Sequence, residues 1–593
     1  MNTSEKTILK GGEFLLEDSN YNDVFTPEDY NEEQLMFRSS MRDFLNKEVE
    51  PIKEKFDSKE GTSIAPTLLE KMGELGFHGI GVPEEYGGLN CDMKTEMAFG
   101  EIASDSFAFS QSIGVHTGLG VYPVLLYGTT KQKETYLNDI VNAKIKCSYC
   151  LTEPSAGSDA NSGKSKAIFS EDKKHFILNG QKMWITNSGF ADVFFVFCKI
   201  ENDENLSCLI VHKEWGVKLG TEENKLGIHG SSTRQVFFEN VKIPVENLLG
   251  ERNKGFKIAM NALNAGRIKI GVANTAIGKR AFKLGVNYAN EREQFGEKIA
   301  NFGAIQEKIA QMATQLYGIE SSWNRAADQI DEAYLEMIAN GNEKLSSKIK
   351  SVAEYAMECA LIKVYGSETE SFIVDEVLQI HGGMGFSAES EISVHYRNVR
   401  GNRIYEGTNE INRILIPTML FRKAMKGELP LMDKTMALFN ALMSGELSPA
   451  NASENTFQTE TEFLTIAKKA TLLVAGMAVQ KFQQEIKTEQ EVLMHLANMI
   501  TPLYIFESAL LRAQKHIKKN EIYKHLTTLL MYDASHQLSL NAKEVIFASS
   551  DADQALSNYK GINRLFQLPY NNLKETRRKV AKYFVEKNQY QLN

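Results

Sequence analysis

The sequence predicts a mostly helical protein of the α+β class, with a β domain between helical domains. Three regions of different hydrophobic pattern indicate this order. Helical spacing runs from Glu28 to Ile140, short β-branched and aromatic runs begin near Cys147, and helical spacing returns at Phe256. A chain of 593 residues is also too long for a single hydrophobic core, so several domains are expected.

The chain divides into six predicted segments. They are a polar N-terminal lead-in at 1–25, an α-helical domain at 26–145, a middle β domain at 146–250, a helical bundle at 251–430, a linker at 431–459 and a C-terminal helical domain at 460–593. In the middle domain, turn sequences such as Asn179-Gly180 separate short apolar runs, which is typical of an antiparallel sheet. The bundle is predicted from a stripe of apolar residues three or four positions apart: Ile305, Ile309, Met312, Leu316 and Ile319.

Composition restricts the classes of function. The net charge of −9 gives no indication of a general nucleic-acid-binding role. Six cysteines in so long a chain do not form a disulfide framework, which fits a reducing compartment. Met1–Asp18 contain charges and no apolar core, and no apolar run approaches the ~20 residues of a membrane span. We therefore expect a cytoplasmic protein.

Two cysteines, Cys147 and Cys150, have the spacing of a metal-binding or redox pair. No second pair of ligands accompanies them, and alternation along a strand would place them on opposite faces. We therefore expect no metal.

Glu406 lies on a predicted connection, preceded by Ile404 and Tyr405 and followed by Gly407. Gly407 permits a tight backbone turn. A carboxylate there is either a solvated loop charge or a base in a dry cleft, where desolvation would raise its pKa. The local pattern alone favours the solvated charge, so the case for a base depends on motifs elsewhere in the chain.

Those motifs are six segments that follow one another along the chain: Val82–Gly88, Tyr149–Asp159, Gly180–Asn187, Arg292–Gly296, Gln379–Phe386 and Arg403–Arg413. Together they resemble the acyl-CoA dehydrogenase family over approximately residues 30 to 425. Asn301–Lys308 and the additional C-terminal region are most similar to the very-long-chain subgroup.

The resemblance implies FAD-dependent dehydrogenation of long-chain acyl-CoA to trans-2-enoyl-CoA in fatty-acid β-oxidation. Glu406 would remove the α-proton while a hydride passes from the β-carbon to flavin N5, and an electron-transfer flavoprotein would accept the electrons. Some relatives carry the base on a helix, at the position that is Gly266 here, and glycine offers no acid. Arg267 resembles the family's arginine near the active site, although it could also be a charge on a helix surface. The alternatives are an acyl-CoA oxidase and a family member with a scaffold or assembly role.

The resemblance also implies a flavin site shared by two subunits. The candidates in the β domain are Tyr149, Leu151, Thr152, Gly157, Ser158, Trp184, Ile185 and Thr186. Those expected to meet the partner's flavin are Arg292, Gln294, Phe295, Gln379 and Gly383. Thr408 and Glu410 complete the set, although a carboxylate such as Glu410 also suits the first turn of a helix. We therefore expect a homo-oligomer, with a dimer favoured.

The substrate candidates are Ser158, Tyr405, Gly407, Gly118 and Gly120. The resemblance places Gly118 and Gly120 at the floor of the acyl pocket, where glycines would leave room for a long chain. A methionine-rich segment with the helical spacing of Met432, Met436, Phe439 and Met443 suggests either a core helix or contact with the inner face of a membrane.

Overall fold

The computed structural model describes residues 8–592 and confirms a mostly helical protein with one β domain. The first helical domain contains α1 (Glu32–Phe44), α2 (Gly61–Glu74), α3 (Met93–Ala103), α4 (Phe109–Gly114), α5 (Val121–Tyr127) and α6 (Thr130–Val141). A π-helical turn at Val115–Gly120 joins α4 to α5.

The β domain follows directly. Its strands are β1 (Cys147–Cys150), β2 (Lys166–Phe169), β3 (His175–Thr186), β4 (Val193–Ile200), β5 (Ser207–His212), β6 (Lys218–Leu219), β7 (Thr233–Pro244) and β8 (Leu248–Leu249). The sheet order is β6-β7-β3-β2-β4-β5-β8, and β1 pairs with β4. Most pairings are antiparallel, but β4 pairs in parallel with both β1 and β2. β4 is an almost continuous apolar run because it is buried on both faces.

The second helical domain is built around two long helices. Its elements are α7 (Gly255–Glu291), the hairpin β9 (Glu293–Gln294) and β10 (Glu297–Lys298), α8 (Gly303–Ala339), α9 (Lys344–Glu354), α10 (Ala356–His381), α11 (Gly383–Phe386), α12 (Glu391–Val399) and α13 (Asn409–Met425). Helices α7 and α10 run in the same direction and approach closely: a Cβ on Gly271 would lie 2.3 Å from Ile362 Cγ2. This contact fixes the two helices that border the candidate site.

The C-terminal domain packs on this bundle. Its helices are α14 (Leu431–Met443), α15 (Gln458–Phe482), α16 (Gln490–His516), α17 (Ile522–Ser549), α18 (Ala552–Asn563) and α19 (Leu573–Lys587). Among the residues that the structure describes, no helix is long and apolar enough to cross a membrane.

Two of the expected segments differ in structure from the prediction. Residues 1–7 of the expected lead-in lie outside the described residues, but the rest of it is packed, with Phe14 and Leu15 buried and the Phe14 ring 4.9 Å from that of Tyr504. Lysines from the C-terminal domain contact its polar groups, as when Lys468 Nζ donates to Glu17 O at 3.1 Å. Residues 8–25 therefore form a tether, and their four buried apolar side chains are too few and too irregularly spaced to show a period.

The expected linker at 431–459 contains α14, and Leu447 and Phe457 are buried after it. It is therefore a packed connection, because its few apolar residues dock against the domain. Met436, Phe439 and Met443 are exposed on α14, which argues against a purely core-packing role for that face. The side chain of Met432 lies outside the described part of the chain.

Candidate active site

Glu406 lies in a tight turn between a short 3₁₀ segment at Arg400–Arg403 and α13. Its φ of +54° and that of Gly407, +82°, are both left-handed. A left-handed conformation is unfavourable for a residue with a Cβ and persists only where neighbours fix it. Asn412 contributes, because its Nδ2 donates to Gly407 O at 2.8 Å and to Thr408 O at 3.2 Å.

The carboxyl group of Glu406 has an unsatisfied atom. Its Oε2 is buried and has no hydrogen-bond partner among the described residues. Burial raises the pKa of Glu406 to about 7, while the charges of Arg267, Lys363 and Lys269 act in the opposite direction. A carboxyl group with this pKa is suited to removing and returning a proton at neutral pH.

Gly266 on α7 makes room for this carboxyl group. A Cβ at position 266 would lie 1.8 Å from Glu406 Oε2. No other residue type fits there without displacing Glu406, so an acid at 266 and an acid at 406 are sterically incompatible in this conformation. In the sequence, Gly266 argued only against the alternative position of the base, and the contact adds a steric reason.

Arg267 is buried, with 5% of its surface exposed, so it is not a charge on the helix surface. Its Nη1 donates to Asn264 Oδ1 at 2.8 Å, and its buried Nε has no partner. Burial lowers the pKa of Arg267, and the nearby charge of Glu406 opposes that shift. The guanidinium thus lies within electrostatic reach of the candidate base.

The two glycines of the expected acyl pocket have different surroundings. A Cβ on Gly118 would meet only Lys269 Nζ, at 3.8 Å, so this position borders open space. A Cβ on Gly120 would lie 2.8 Å from Cys147 Cβ, so Gly120 allows the π-helical turn to pack against β1 and does not enlarge a pocket. The expectation for Gly120 was wrong because the sequence does not show which face of the turn meets the sheet.

A buried ion pair that was not expected lies beside Gly118. Lys269 Nζ is 2.7 Å from Glu96 Oε1, and the Tyr122 hydroxyl donates to the same carboxylate at 2.7 Å. The only sequence signal was a lysine one helical turn after Gly266.

Tyr405 and Gly407 flank the base. The Tyr405 hydroxyl donates to Asn402 Oδ1, and burial raises the pKa of Tyr405. Because this hydroxyl already has a partner in the protein, Tyr405 fixes the position of the backbone that enters the turn. The Gly407 carbonyl already accepts hydrogen bonds from Asn412 and Lys363. Gly407 therefore contributes to the site through the backbone conformation that a glycine permits.

The β domain offers an open cradle beside this turn. A Cβ on Gly157 would meet nothing within 4 Å, and both Gly157 and Ser158 are exposed. Trp184 has a φ of +61° and 53% of its surface exposed. The Tyr149 hydroxyl is buried without a hydrogen-bond partner in the described part of the chain, and its electrostatic interaction with Glu406 connects the cradle to the candidate base.

Four other predicted residues of the β domain are held by backbone hydrogen bonds or by packing in the sheet. Thr152 O accepts from Met183 N at 3.0 Å, which joins the two motifs directly. Leu151 O accepts from Lys182 Nζ at 3.0 Å, and Thr186 O accepts from Ser148 Oγ at 2.8 Å. The side chain of Ile185 is buried in the core of the sheet, so it is not available to a cofactor.

Sequence reasoning missed the residue that joins these motifs. Lys182 is fully buried and contacts Glu153 Oε1 at 2.7 Å and Phe197 O at 2.6 Å. The available signal was a lysine within Gly180–Asn187, because a charged residue that is buried in a strand needs a partner.

The second group of flavin candidates lies far from Glu406 within the same chain. Arg292, Gln294 and Phe295 are exposed around the hairpin that follows α7, and Phe295 is 96% exposed. The exposed Gln379 and Gly383 lie near them, since the ring of His381 stacks on Tyr288 at 4.2 Å. At 1.5 Å per residue, Gly266 and Arg292 are about 39 Å apart along α7. This distance argues against one site that contains both Glu406 and the hairpin within a single subunit.

Thr408 and Glu410 have local partners. Thr408 is the N-cap of α13, where its side chain accepts from Ile411 N at 3.3 Å. Glu410 is exposed in the first turn, and backbone and Thr408 hydrogen bonds lower its pKa. Both therefore have a clear structural role at the start of the helix.

The residues of the open cradle in the β domain fit a flavin. The half-exposed indole of Trp184 offers an apolar face, Gly157 leaves space for close approach, and the Tyr149 hydroxyl lacks a partner. In addition, no group of three or more His, Cys, Asp or Glu within residues 8–592 could hold a metal ion.

Family models match most of the chain. Models described as the acyl-CoA dehydrogenase N-terminal, middle and C-terminal domains match residues 31–144, 148–241 and 253–420, and a further acyl-CoA dehydrogenase C-terminal domain model matches 466–564.

Individual proteins are similar over most of their length. A probable acyl-CoA dehydrogenase of Bacillus subtilis is 40% identical over 98% of both chains. The mitochondrial very long-chain specific acyl-CoA dehydrogenase of Bos taurus is 31% identical over 83% of this chain and 76% of its own. The crystal structure of an acyl-CoA dehydrogenase complexed with FAD from Bacillus anthracis matches with a TM-score of 0.94 and 39% identity, covering 98% of this chain and 100% of that one. The chain therefore belongs to the acyl-CoA dehydrogenase family of FAD-dependent oxidoreductases, which act on CH–CH bonds.

Proposed function

We propose that this protein dehydrogenates long-chain acyl-CoA thioesters to trans-2-enoyl-CoA, with Glu406 as the base that removes the α-proton. The observation that carries the proposal is the buried, unpartnered Oε2 of Glu406, placed against the bare backbone of Gly266. An unsatisfied buried carboxylate oxygen is costly unless a ligand uses it.

The surroundings of Glu406 suit a proton that moves in both directions. With a pKa of about 7, both protonation states are well populated at neutral pH. Arg267 and Lys363 favour the ionised form that accepts the proton, and burial favours the neutral form that results. We assign the thioester carbonyl to the backbone N–H of Glu406, where one such donor is worth about 3–4 kcal/mol to the developing oxyanion.

FAD would supply the two-electron acceptor for the β-hydrogen. Trp184 would pack against the flavin ring, and Gly157 would leave space for its close approach. Around them would lie Tyr149, Thr152, Ser158 and Thr186. The separation of about 39 Å along α7 supports a dimer in which Arg292, Gln294, Phe295, Gln379 and Gly383 serve the flavin of the partner subunit.

Further parts of the proposal rest on the family resemblance. They are a role in β-oxidation, an electron-transfer flavoprotein as acceptor, and a cytoplasmic location with peripheral contact to the inner face of the membrane. The open space at Gly118 supports a preference for long acyl chains. Contact with a membrane surface is supported by the exposed side chains of Met436, Phe439 and Met443.

The test is an anaerobic titration of the flavin-loaded protein with palmitoyl-CoA, followed by flavin absorbance. We expect bleaching at about one equivalent per subunit. Butyryl-CoA should bleach the flavin less completely, and admitting air should restore the colour slowly. Rapid reoxidation by air would favour the oxidase, and a flavin that no acyl-CoA bleaches would favour the scaffold role.

A further inference from the structure

A lysine on α10 contacts the turn that carries Glu406, on the side opposite the Glu406 carboxyl group. Lys363 is fully buried, and its Nζ donates to Gly407 O at 2.9 Å and to Asn409 Oδ1 at 2.8 Å. Asn409 Nδ2 in turn donates to Ser367 Oγ at 3.0 Å, one helical turn further along α10. One cation thus joins α10 to Gly407 in the turn and to Asn409, which follows it.

The conformation of the turn makes this contact important. Glu406 and Gly407 are consecutive left-handed residues, so the chain reverses within two positions. This reversal directs the Glu406 carboxyl group toward Gly266 on α7, whereas the Gly407 carbonyl faces Lys363 on α10. Such a conformation persists only where neighbouring contacts determine it. A change at Lys363 would therefore alter the position of the carboxyl group on the opposite side.

The partners of Lys363 are also unusual for a buried lysine. Lys182 and Lys468 are similarly buried, and each contacts a carboxylate directly at 2.7 Å, that of Glu153 and Glu507 respectively. The two hydrogen bonds of Lys363 instead go to a carbonyl and an amide oxygen. The carboxylate that interacts with it most strongly is that of Glu406, ahead of Glu368 and Glu410.

We propose that Lys363 is a positioning residue, which fixes the Glu406-Gly407 turn and stabilises the charge of the Glu406 carboxylate through space. This role rests on the proposed function, because it concerns the base of that reaction. In the step that it supports, the α-C–H bond breaks, the proton passes to Glu406 and the electron pair stays on the thioester as an enolate.

The experiment uses the FAD-loaded enzyme and the 3-thia analogue of palmitoyl-CoA. Sulfur replaces the β-carbon, so the analogue can lose an α-proton but has no β-hydrogen to give. In D₂O, exchange of the α-protons measured by NMR reports proton removal alone. The variant is Lys363→Met, which keeps the length of the side chain, and the control is Lys468→Met in the C-terminal domain.

We expect Lys363→Met to slow exchange at least ~10-fold while the dissociation constant of the analogue changes less than ~2-fold. The rising limb of the pH profile should also move to higher pH, because a positive charge that lowers the pKa of Glu406 is lost. Arg267 and Lys269 on α7, Glu368 on α10 and Glu410 on α13 also face this cluster and remain unchanged. Lys468→Met should leave both the rate and the limb unchanged.

A second variant separates position from charge. Asn409→Ala removes one acceptor of Lys363 but keeps the cation, so exchange should slow without a shift of the limb. This variant also serves if Lys363→Met does not retain its flavin. Exchange at the wild-type rate with an unshifted limb in Lys363→Met, or unchanged exchange in Asn409→Ala, would overturn the role of Lys363. A wild-type enzyme that exchanges no α-proton would instead overturn the proposed function.

Discussion

Glu406 is the proposed base, and Gly266 makes room for its carboxyl group. The sequence identified both, but only as a motif and a missing acid. The contact of 1.8 Å between a Cβ at 266 and Glu406 Oε2 depends on the spacing of α7 and the turn, which sequence patterns do not contain. The contacts of Lys363 also depend on how the elements pack, and the sequence shows it only as a lysine in a mostly apolar helix.

At this scale we predict that Gly266→Ala abolishes most activity and leaves flavin binding intact, because the methyl group would displace the Glu406 carboxyl group. A displacement of about 1 Å can cost roughly 100-fold in rate. The measurement is the rate of flavin reduction by palmitoyl-CoA. Gly100→Ala is the matched control, since its Cβ would meet nothing within 4 Å inside α3. Full activity in Gly266→Ala would show that Glu406 does not need its present position.

At the scale of elements, α7 separates the two halves of the predicted flavin site. Hydrophobic periodicity was sufficient to predict the helical domains and the β domain, because each buries a regular apolar face. It could not predict that residues 8–25 are packed, since this segment has few buried apolar residues. The spacing of the methionine-rich segment did suggest a helix where α14 forms, but it left open which face that helix exposes. It also could not show that Ile185 and Gly120 serve packing, which depends on the direction of a strand face and of a turn face.

The length of α7 leads to a complementation test. Glu406→Gln lacks the base, and Arg292→Ala lacks a contact expected to serve the partner's flavin. If the site is shared, a mixed dimer contains one complete site. Random reassortment should then restore about a quarter of the wild-type sites, because half of the dimers are mixed. Turnover after the inactive variants are unfolded and refolded together is the measurement. Activity no higher than the mean of the two separate variants would argue that each subunit completes its own site.

At the scale of the whole molecule, buried charges join the start of the first helical domain, the bundle and the C-terminal domain. Arg512 on α16 is buried between Glu28 and Glu320, at 2.6 Å and 2.7 Å. Burial opposes the ionisation of Glu28, but Arg512 and its hydrogen bonds lower the pKa of Glu28 to about 2. Glu28 therefore contributes stability above its ordinary pKa of 4.5, and this contribution is lost as the pH falls toward 2.

We predict that Arg512→Met lowers the free energy of unfolding by about 3–5 kcal/mol at pH 7, because two buried carboxylates each lose an ion-pair partner, although Glu320 keeps Lys279. Thermal unfolding at pH 7 and pH 4 is the measurement, and the loss should be smaller at pH 4. Adding Glu28→Gln should recover part of the stability. Equal losses at both pH values would mean that packing, and not charge, accounts for the role of Arg512.

The central claim is that Glu406 removes the substrate proton, and the most direct measurement is anaerobic titration of flavin-loaded Glu406→Gln with palmitoyl-CoA. The control is Glu358→Gln, since burial also raises the pKa of Glu358 to about 7 and its Oε2 also has no hydrogen-bond partner among the described residues. Its Oε1, however, accepts from Gly12 N at 2.8 Å, so this carboxyl group lies against the N-terminal segment. We expect Glu406→Gln to bind flavin and ligand without bleaching, and Glu358→Gln to bleach like the wild type. Bleaching of Glu406→Gln at a rate near that of the wild type would contradict the claim.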